Sequence, residues 1–191
     1  MSGWIPLGST SICLLLGAVW LNPLSNMPEL RAAKTHMISD SEETDEELTE
    51  YTYTDLKVNN SIRVLTLPPG SRKKVSEIVC QLVERKLEDV KGKYEALSWA
   101  WGSDPWDEKI RIRTEYADTS FKVPKVLASA IRALRDRKKP RELWIDAICI
   151  NQKKPDEKNK QVPMMPEIYG GAKQVCIWLG EGDDDSKIAF E

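Results

Sequence analysis

The chain has 191 residues, a length that suits a single domain, and its 41% hydrophobic and 30% charged residues are the proportions of a globular protein. With 28 Lys and Arg against 30 Asp and Glu the formal charge is −2, which argues against a dedicated nucleic-acid binder. The single histidine, His36, falls in a polar stretch ahead of the expected core. The four cysteines (Cys13, Cys80, Cys149, Cys176) are scattered without a CxxC, so neither imidazole-dependent nucleophilic catalysis, nor a zinc site, nor a disulfide framework is expected.

The near-neutral total conceals three unlike segments. Residues 1–28 carry no charged side chain, residues 29–55 carry nine acids and two bases, and residues 56–191 carry 26 bases and 21 acids. The first segment contains the apolar run Ile12-Cys13-Leu14-Leu15-Leu16-Gly17-Ala18-Val19-Trp20-Leu21. A signal peptide needs a basic start and a membrane span needs ~20 apolar residues, so a segment outside the fold is the preferred reading over a targeting or anchoring one. In the second, seven acids between Asp40 and Glu50 with no base repel one another, and a mobile linker is expected over residues 29–55.

The folded region is expected over residues 56–191. Ser61-Ile62-Arg63-Val64-Leu65-Thr66-Leu67 alternates and then meets Pro68-Pro69-Gly70, which predicts a strand closed by a turn. Residues 79–87 read as a strand, with a helix as the alternative. Tyr94-Glu95-Ala96-Leu97-Ser98-Trp99-Ala100-Trp101 reads as another strand that stops at Gly102, and residues 103–108 as a polar loop.

Residues 123–138 give the clearest helix. Pro124 suits its first turn, and Val123, Val126, Leu127, Ala130, Ile131 and Leu134 share a face. Arg132, Arg135, Arg137, Lys138 and Lys139 gather toward its C-terminal end, where cations complement the dipole, and Pro140 ends it. This basic cluster reads as a solvated helix end, with phosphate binding as the alternative.

Leu143-Trp144-Ile145-Asp146-Ala147-Ile148-Cys149-Ile150-Asn151-Gln152 opens as a buried central strand. Asp146 stands where the chain leaves the sheet, as a site residue or as a cap, because ligands of open α/β sheets lie beyond the carboxyl ends of strands. Residues 161–169 are partly helical, but Pro163 and Pro166 predict an interruption, since an interior proline costs ~3 kcal/mol. Residues 173–179 read as a strand alternating Val175, Ile177 and Leu179 against Gln174, Cys176 and Trp178, up to Gly180. Asp183-Asp184-Asp185-Ser186 offers caps for one more helix. The alternation of strands and helices predicts an α/β fold: a parallel or mixed sheet flanked by helices, Rossmann-like.

The Tyr94 to Gly102 motif resembles the opening block of the fungal heterokaryon incompatibility (HET) domain. Leu143 to Gln152, then Glu157, Gln161-Val162, Met165, Ile168-Tyr169, Ala172, Val175 and Trp178-Leu179-Gly180, resembles its second block, and Asp183 to Phe190 the segment after it. The likeness covers roughly residues 61–191. It implies a role in nonself recognition and programmed cell death signalling through contacts with other HET-type or death-signalling proteins, or by self-association. It also implies a TIR-like fold, which in some relatives of that fold cleaves NAD with a catalytic glutamate. Two departures stand out: no later Arg-x-Trp-x-x-Gln-Glu-like block occurs before Glu191, and Pro163 and Pro166 occupy helix-compatible positions of the family. The chain is therefore expected to hold the N-terminal portion of the domain, incomplete at its C-terminus, with an inert or regulatory fragment as a further reading.

Under the enzymatic alternative, the family-matched acids Asp146 and Glu157 are the catalytic candidates, one carboxylate stabilising oxocarbenium-like charge as NAD is cleaved. Asn151, Gln152 and Ser98 are the ligand-binding candidates. The bland alternatives are that Asp146 caps its turn, Glu157 pairs with a lysine, and Asn151 and Gln152 satisfy loop backbone. Trp99, Trp101, Trp144 and Trp178 stack on a base or, by their burial habit, belong to the core. No metal, nucleic acid or membrane is expected, and NAD enters only as a substrate. The location expected is cytoplasmic.

Overall fold

The computed structural model describes residues 4–7, 10–15, 48–70 and 77–181. Nine strands join one mixed sheet: β1 (Trp4–Leu7), β2 (Thr10–Leu15), β3 (Ser61–Leu67), β4 (Val79–Lys86), β5 (Glu95–Ser98), β6 (Glu108–Arg113), β7 (Asp118–Val123), β8 (Arg141–Trp144) and β9 (Gln174–Trp178). Their spatial order is β1-β2-β9-β5-β8-β3-β4-β6-β7. Strands β2, β9, β5 and β8 run parallel, and β3 lies antiparallel between β8 and β4. Strand β6 joins β4 in parallel and pairs with β7 as a hairpin. The helices are α1 (Leu87–Val90), α2 (Lys125–Leu134), α3 (Asp146–Cys149), α4 (Pro155–Gln161) and α5 (Met165–Gly171). The α/β class and the mixed sheet with flanking helices agree with the expectation.

Helices cover both faces of the sheet. Glu95, Leu143 and Gln174 lie in register, so Arg141, two residues before Leu143, shares their face, and its guanidinium donates to the Leu134 carbonyl at the end of α2 at 2.6 Å. On the other face Trp144 meets Tyr169 of α5 edge-on at 5.5 Å, and the Tyr94 hydroxyl donates to the Ile168 carbonyl. Helix α2 buries Leu127, Ala128, Ala130, Ile131 and Leu134. In β9 the more deeply buried set is Gln174, Cys176 and Trp178, while Leu179 is 53% exposed. The covering of that face by α2 decides this, although the apolar members of the alternation, Val175, Ile177 and Leu179, lie on the other one.

Several boundaries differ from expectation for identifiable reasons. Helix α2 begins after Pro124, which stays extended at the N-cap position, and it ends at Leu134. Arg135 leaves the helix, and its guanidinium donates to the carbonyls of Glu77 at 2.7 Å and Pro68 at 3.3 Å. The interruption expected from the prolines is present: α4 gives way to a 3-10 turn at Val162–Met164 and then to α5, with Pro163 and Pro166 each in the first positions of a new segment, where a missing N–H is harmless.

Two further segments join the fold although sequence reading placed them outside it. Thr10–Leu15 adds to the parallel sheet beside β9, burying Cys13, and Trp4–Leu7 pairs antiparallel on its outer edge. Within the expected acidic linker, the Tyr51 N–H donates to the Ser120 carbonyl and the Ser120 N–H to the Thr49 carbonyl, both at 2.8 Å. There Tyr51, Tyr53 and Phe121 form an edge-to-face cluster. His36, the acids from Asp40 to Glu47, and Asp183 to Ser186 lie outside the described residues. Among the described residues, no helix is long and apolar enough to cross a membrane.

Because Ile131 is fully buried on the inner face of α2, Ile131→Ala should lower unfolding free energy by about 2–5 kcal/mol in urea denaturation.

Candidate functional site

Strands β5, β8 and β9 end side by side at Ser98, Trp144 and Trp178. The chain leaves β5, reaches β8 on one side through α2, then returns past β5 to β9 through α3, α4 and α5. That reversal makes the carboxyl end of β5 a topological switch point, where open α/β sheets place their ligands.

Two tryptophans and one acid organise this edge. Asp146, the first residue of α3, accepts the indole N–H of Trp99 on Oδ1 at 3.0 Å and that of Trp101 on Oδ2 at 2.8 Å, and Oδ1 also takes the Ala147 N–H at 2.8 Å. The two indoles stack with centroids 5.6 Å apart and planes 20° from parallel, and Trp106 leans on Trp101 at 5.7 Å. Gly102, at φ 55°, turns the chain out of this motif in a conformation that side-chain-bearing residues adopt poorly. Trp99 is only 9% exposed, but Trp101 and Trp106 are 41% and 36% exposed, so the stack runs from core to surface.

A second acid has a different task. Glu157, 7% exposed at the start of α4, forms a bidentate pair with Arg63 in the middle of β3: Nη1 to Oε1 at 2.5 Å and Nη2 to Oε2 at 3.0 Å. Oε1 also accepts the Asn151 backbone N–H at 2.8 Å. Arg63 further donates to the carbonyls of Cys149 at 3.0 Å and Thr54 at 2.8 Å and lies 4.9 Å from the centre of the Tyr53 ring. The Tyr53 hydroxyl closes the cluster on the Ile148 carbonyl at 2.7 Å. Burial pushes the Glu157 carboxyl pKa up, but the Arg63 and Asn151 hydrogen bonds outweigh it and hold the group below its ordinary 4.5. Burial pushes the Tyr53 phenol strongly up, so it stays protonated as a donor.

The two candidate catalytic acids therefore face different partners and share none. Asn151 uses its backbone N–H on Glu157 and its Oδ1 on the Lys153 N–H at 3.1 Å, while Gln152 Nε2 donates to the Asp146 carbonyl at 2.9 Å. Ser98 ends β5, half-buried. Asp146 accepts the N–H of the adjacent Ala147 from inside the first turn, with Ile145 at the cap position, and Glu157 pairs with an arginine rather than a lysine. Trp144 and Trp178 are core residues, as is Trp99, whereas Trp101 is at the surface. Sequence reading missed Arg63, Tyr53 and Trp106. Arg63 had a visible signal: a lone cation inside an apolar central strand requires a buried acid from elsewhere.

Comparison with known proteins bears on these residues. The sequence profile of the family described as heterokaryon incompatibility protein (HET) matches residues 94–191, a span that includes Trp99, Trp101, Trp106, Asp146 and Glu157. The heterokaryon incompatibility protein 6, OR allele, of Neurospora crassa is 36% identical over 139 residues, covering 68% of this chain. The matched part is 20% of that protein's length, so the chain corresponds to a small portion of it. No solved structure matches the chain.

Glu157→Ala leaves the Arg63 charge buried without its carboxylate and should cost about 3–5 kcal/mol, while Arg63→Met combined with Glu157→Leu should recover most of that in the same urea titration. The folded carboxyl pKa lies below its unfolded value, so the stabilisation is full at neutral pH and is lost as pH falls from about 4.5 toward the folded pKa. Acid unfolding of the Arg63→Met/Glu157→Leu variant should lack that component.

Proposed function

The chain belongs to the heterokaryon incompatibility family, and from that premise we propose that it serves in fungal nonself recognition as a contact module of programmed cell death signalling in the cytoplasm. The observation that supports this reading is the tryptophan stack at the carboxyl edge. Trp101 and Trp106 put large apolar area at the surface, in the manner of the aromatic anchors that dominate binding energy at interfaces. Both Trp99 and Trp101 commit their N–H groups to Asp146, so the stack is held rigid before any partner arrives and little ordering remains to oppose association. The partner is another incompatibility or death-signalling protein.

The alternative, an enzyme that cleaves NAD, draws its support from Asp146 at the switch point. Glu157 supports it less, because both carboxylate oxygens are engaged by Arg63. Expression in a fungal cell separates the readings. Wild type should cause arrest or death with cellular NAD unchanged, and Trp101→Ala combined with Trp106→Ala should abolish it at equal protein level. A fall in NAD that Asp146→Asn prevents would transfer the function to the enzyme, and the absence of death from wild type would overturn the signalling role for this chain.

A further inference from the structure

The loop from Trp101 to Asp107 is exposed at every position, and it carries two indoles and two carboxylates with no base among them. The other acids nearby are engaged. Asp146 holds the indoles of Trp99 and Trp101, and Glu108 accepts from Arg132 at 2.5 Å. Asp104 and Asp107 have no hydrogen-bond or ion-pair partner among the described residues. Asp104 also joins the loop to a cleft of about 180 Å³ beside the first turns of α2. A further carboxylate, Glu181, stands in the wall of that cleft, where the Ser129 hydroxyl donates to its Oε1 at 2.7 Å. Lys125 is the cation among the lining residues, and it makes no ion pair with either acid.

A partner that covers Trp101 and Trp106 must also cover Asp104 and Asp107, which belong to the same short loop. Removing a carboxylate from water without a counter-charge is strongly unfavourable, so an apolar partner loses at the acids what it gains at the rings. A nucleic acid or an anionic lipid surface is repelled by the same acids. A guanidinium satisfies both halves of the loop, because it stacks on an indole and forks onto a carboxylate. We propose that the Trp101–Asp107 loop and the adjoining cleft form a docking surface for an arginine-bearing basic segment of a partner protein. Its guanidinium groups lie against Trp101 and Trp106 and pair with Asp104, Asp107 and Glu181. This rests on the reading of the tryptophan stack as a contact surface and names the chemistry of what it contacts.

The test titrates the full chain with three blocked pentapeptides that alternate glycine with arginine, lysine or glutamate. The indole N–H resonances are followed by NMR, with Trp101→Phe and Trp106→Phe assigning the two of interest. Saturable movement of both is expected with the arginine peptide, and none with the glutamate peptide. The lysine peptide should bind about threefold more weakly, since a hydrated ammonium neither stacks nor forks. Asp104→Asn combined with Asp107→Asn should weaken the arginine peptide about tenfold and flatten its salt dependence, because two facing charges are lost while both rings stay. Circular dichroism checks that these exposed changes leave the fold intact. No saturable movement, equal affinity for the lysine peptide, or an affinity unchanged in the double Asn variant would overturn the proposal. In the fungal assay, loss of death in the double Asn variant as well as in Trp101→Ala/Trp106→Ala supports it. Death lost only in the tryptophan variant leaves the contact surface standing and overturns the basic partner.

Discussion

One buried guanidinium holds together the parts of this molecule that sequence alone leaves separate. Arg63 sits at the centre of the sheet on β3, and its donors reach Glu157 on α4, the carbonyl of Cys149 at the end of α3, and the carbonyl of Thr54 in the strap before β3. A charge that deep is tolerable only when nearly every donor is met, and here two carboxylate oxygens and two carbonyls meet it. The arrangement therefore fixes several loops at once. It sets where α4 starts, pins the turn through Asn151, and draws the Tyr51–Tyr53 strap onto the hairpin β6–β7.

The site at the carboxyl edge inherits that rigidity. Asp146 belongs to α3, and the far end of α3 is the carbonyl that Arg63 holds. The acid that clamps Trp99 and Trp101 is thus positioned by a residue on another strand, outside the matched family segment. A second polar cluster works near the opposite end of the same strands, where Arg141 pairs with Glu95 and Gln174 Nε2 donates to the same carboxylate at 2.6 Å. Each end of the parallel group is therefore cross-linked by charge, with the apolar helices packed between.

What could be read from sequence followed the range of the interactions. Elements set by local pattern were legible: β3 with its Pro-Pro-Gly stop, the inner face of α2, β9 before Gly180, and the proline breaks around Val162–Met164; β5 was legible as a strand, although it ends at Ser98 and not at Gly102. The hairpin β6–β7 was missed because Lys109, Arg111, Arg113 and Lys122 mask its alternation; only Ile110, Ile112 and Val123 are buried. The place of Asp146 at the end of a central strand was legible, but its partners were not, since the indoles that hold it stand 45 and 47 residues away. Glu157 looked like a site acid for the same reason that it is a structural one: a lone carboxylate matched to the family motif reads alike until Arg63, 94 residues earlier, is seen beside it.

The pairing of β2 with β9 also sets an order of events. Cys13 and Cys176 are neighbours in the sheet but about 160 residues apart in the chain, so at synthesis rates of roughly 5–20 residues per second the early strand waits on the order of ten to thirty seconds for its partner. During that interval Thr10–Leu15 has only the adjacent β1 to pair with, and contacts of such long sequence separation as its pairing with β9 are the slowest to close. A strand made early is thus among the last to be placed against its β9 neighbour. In the interim the edge that later joins β9 stays open, a natural point of attention for chaperones.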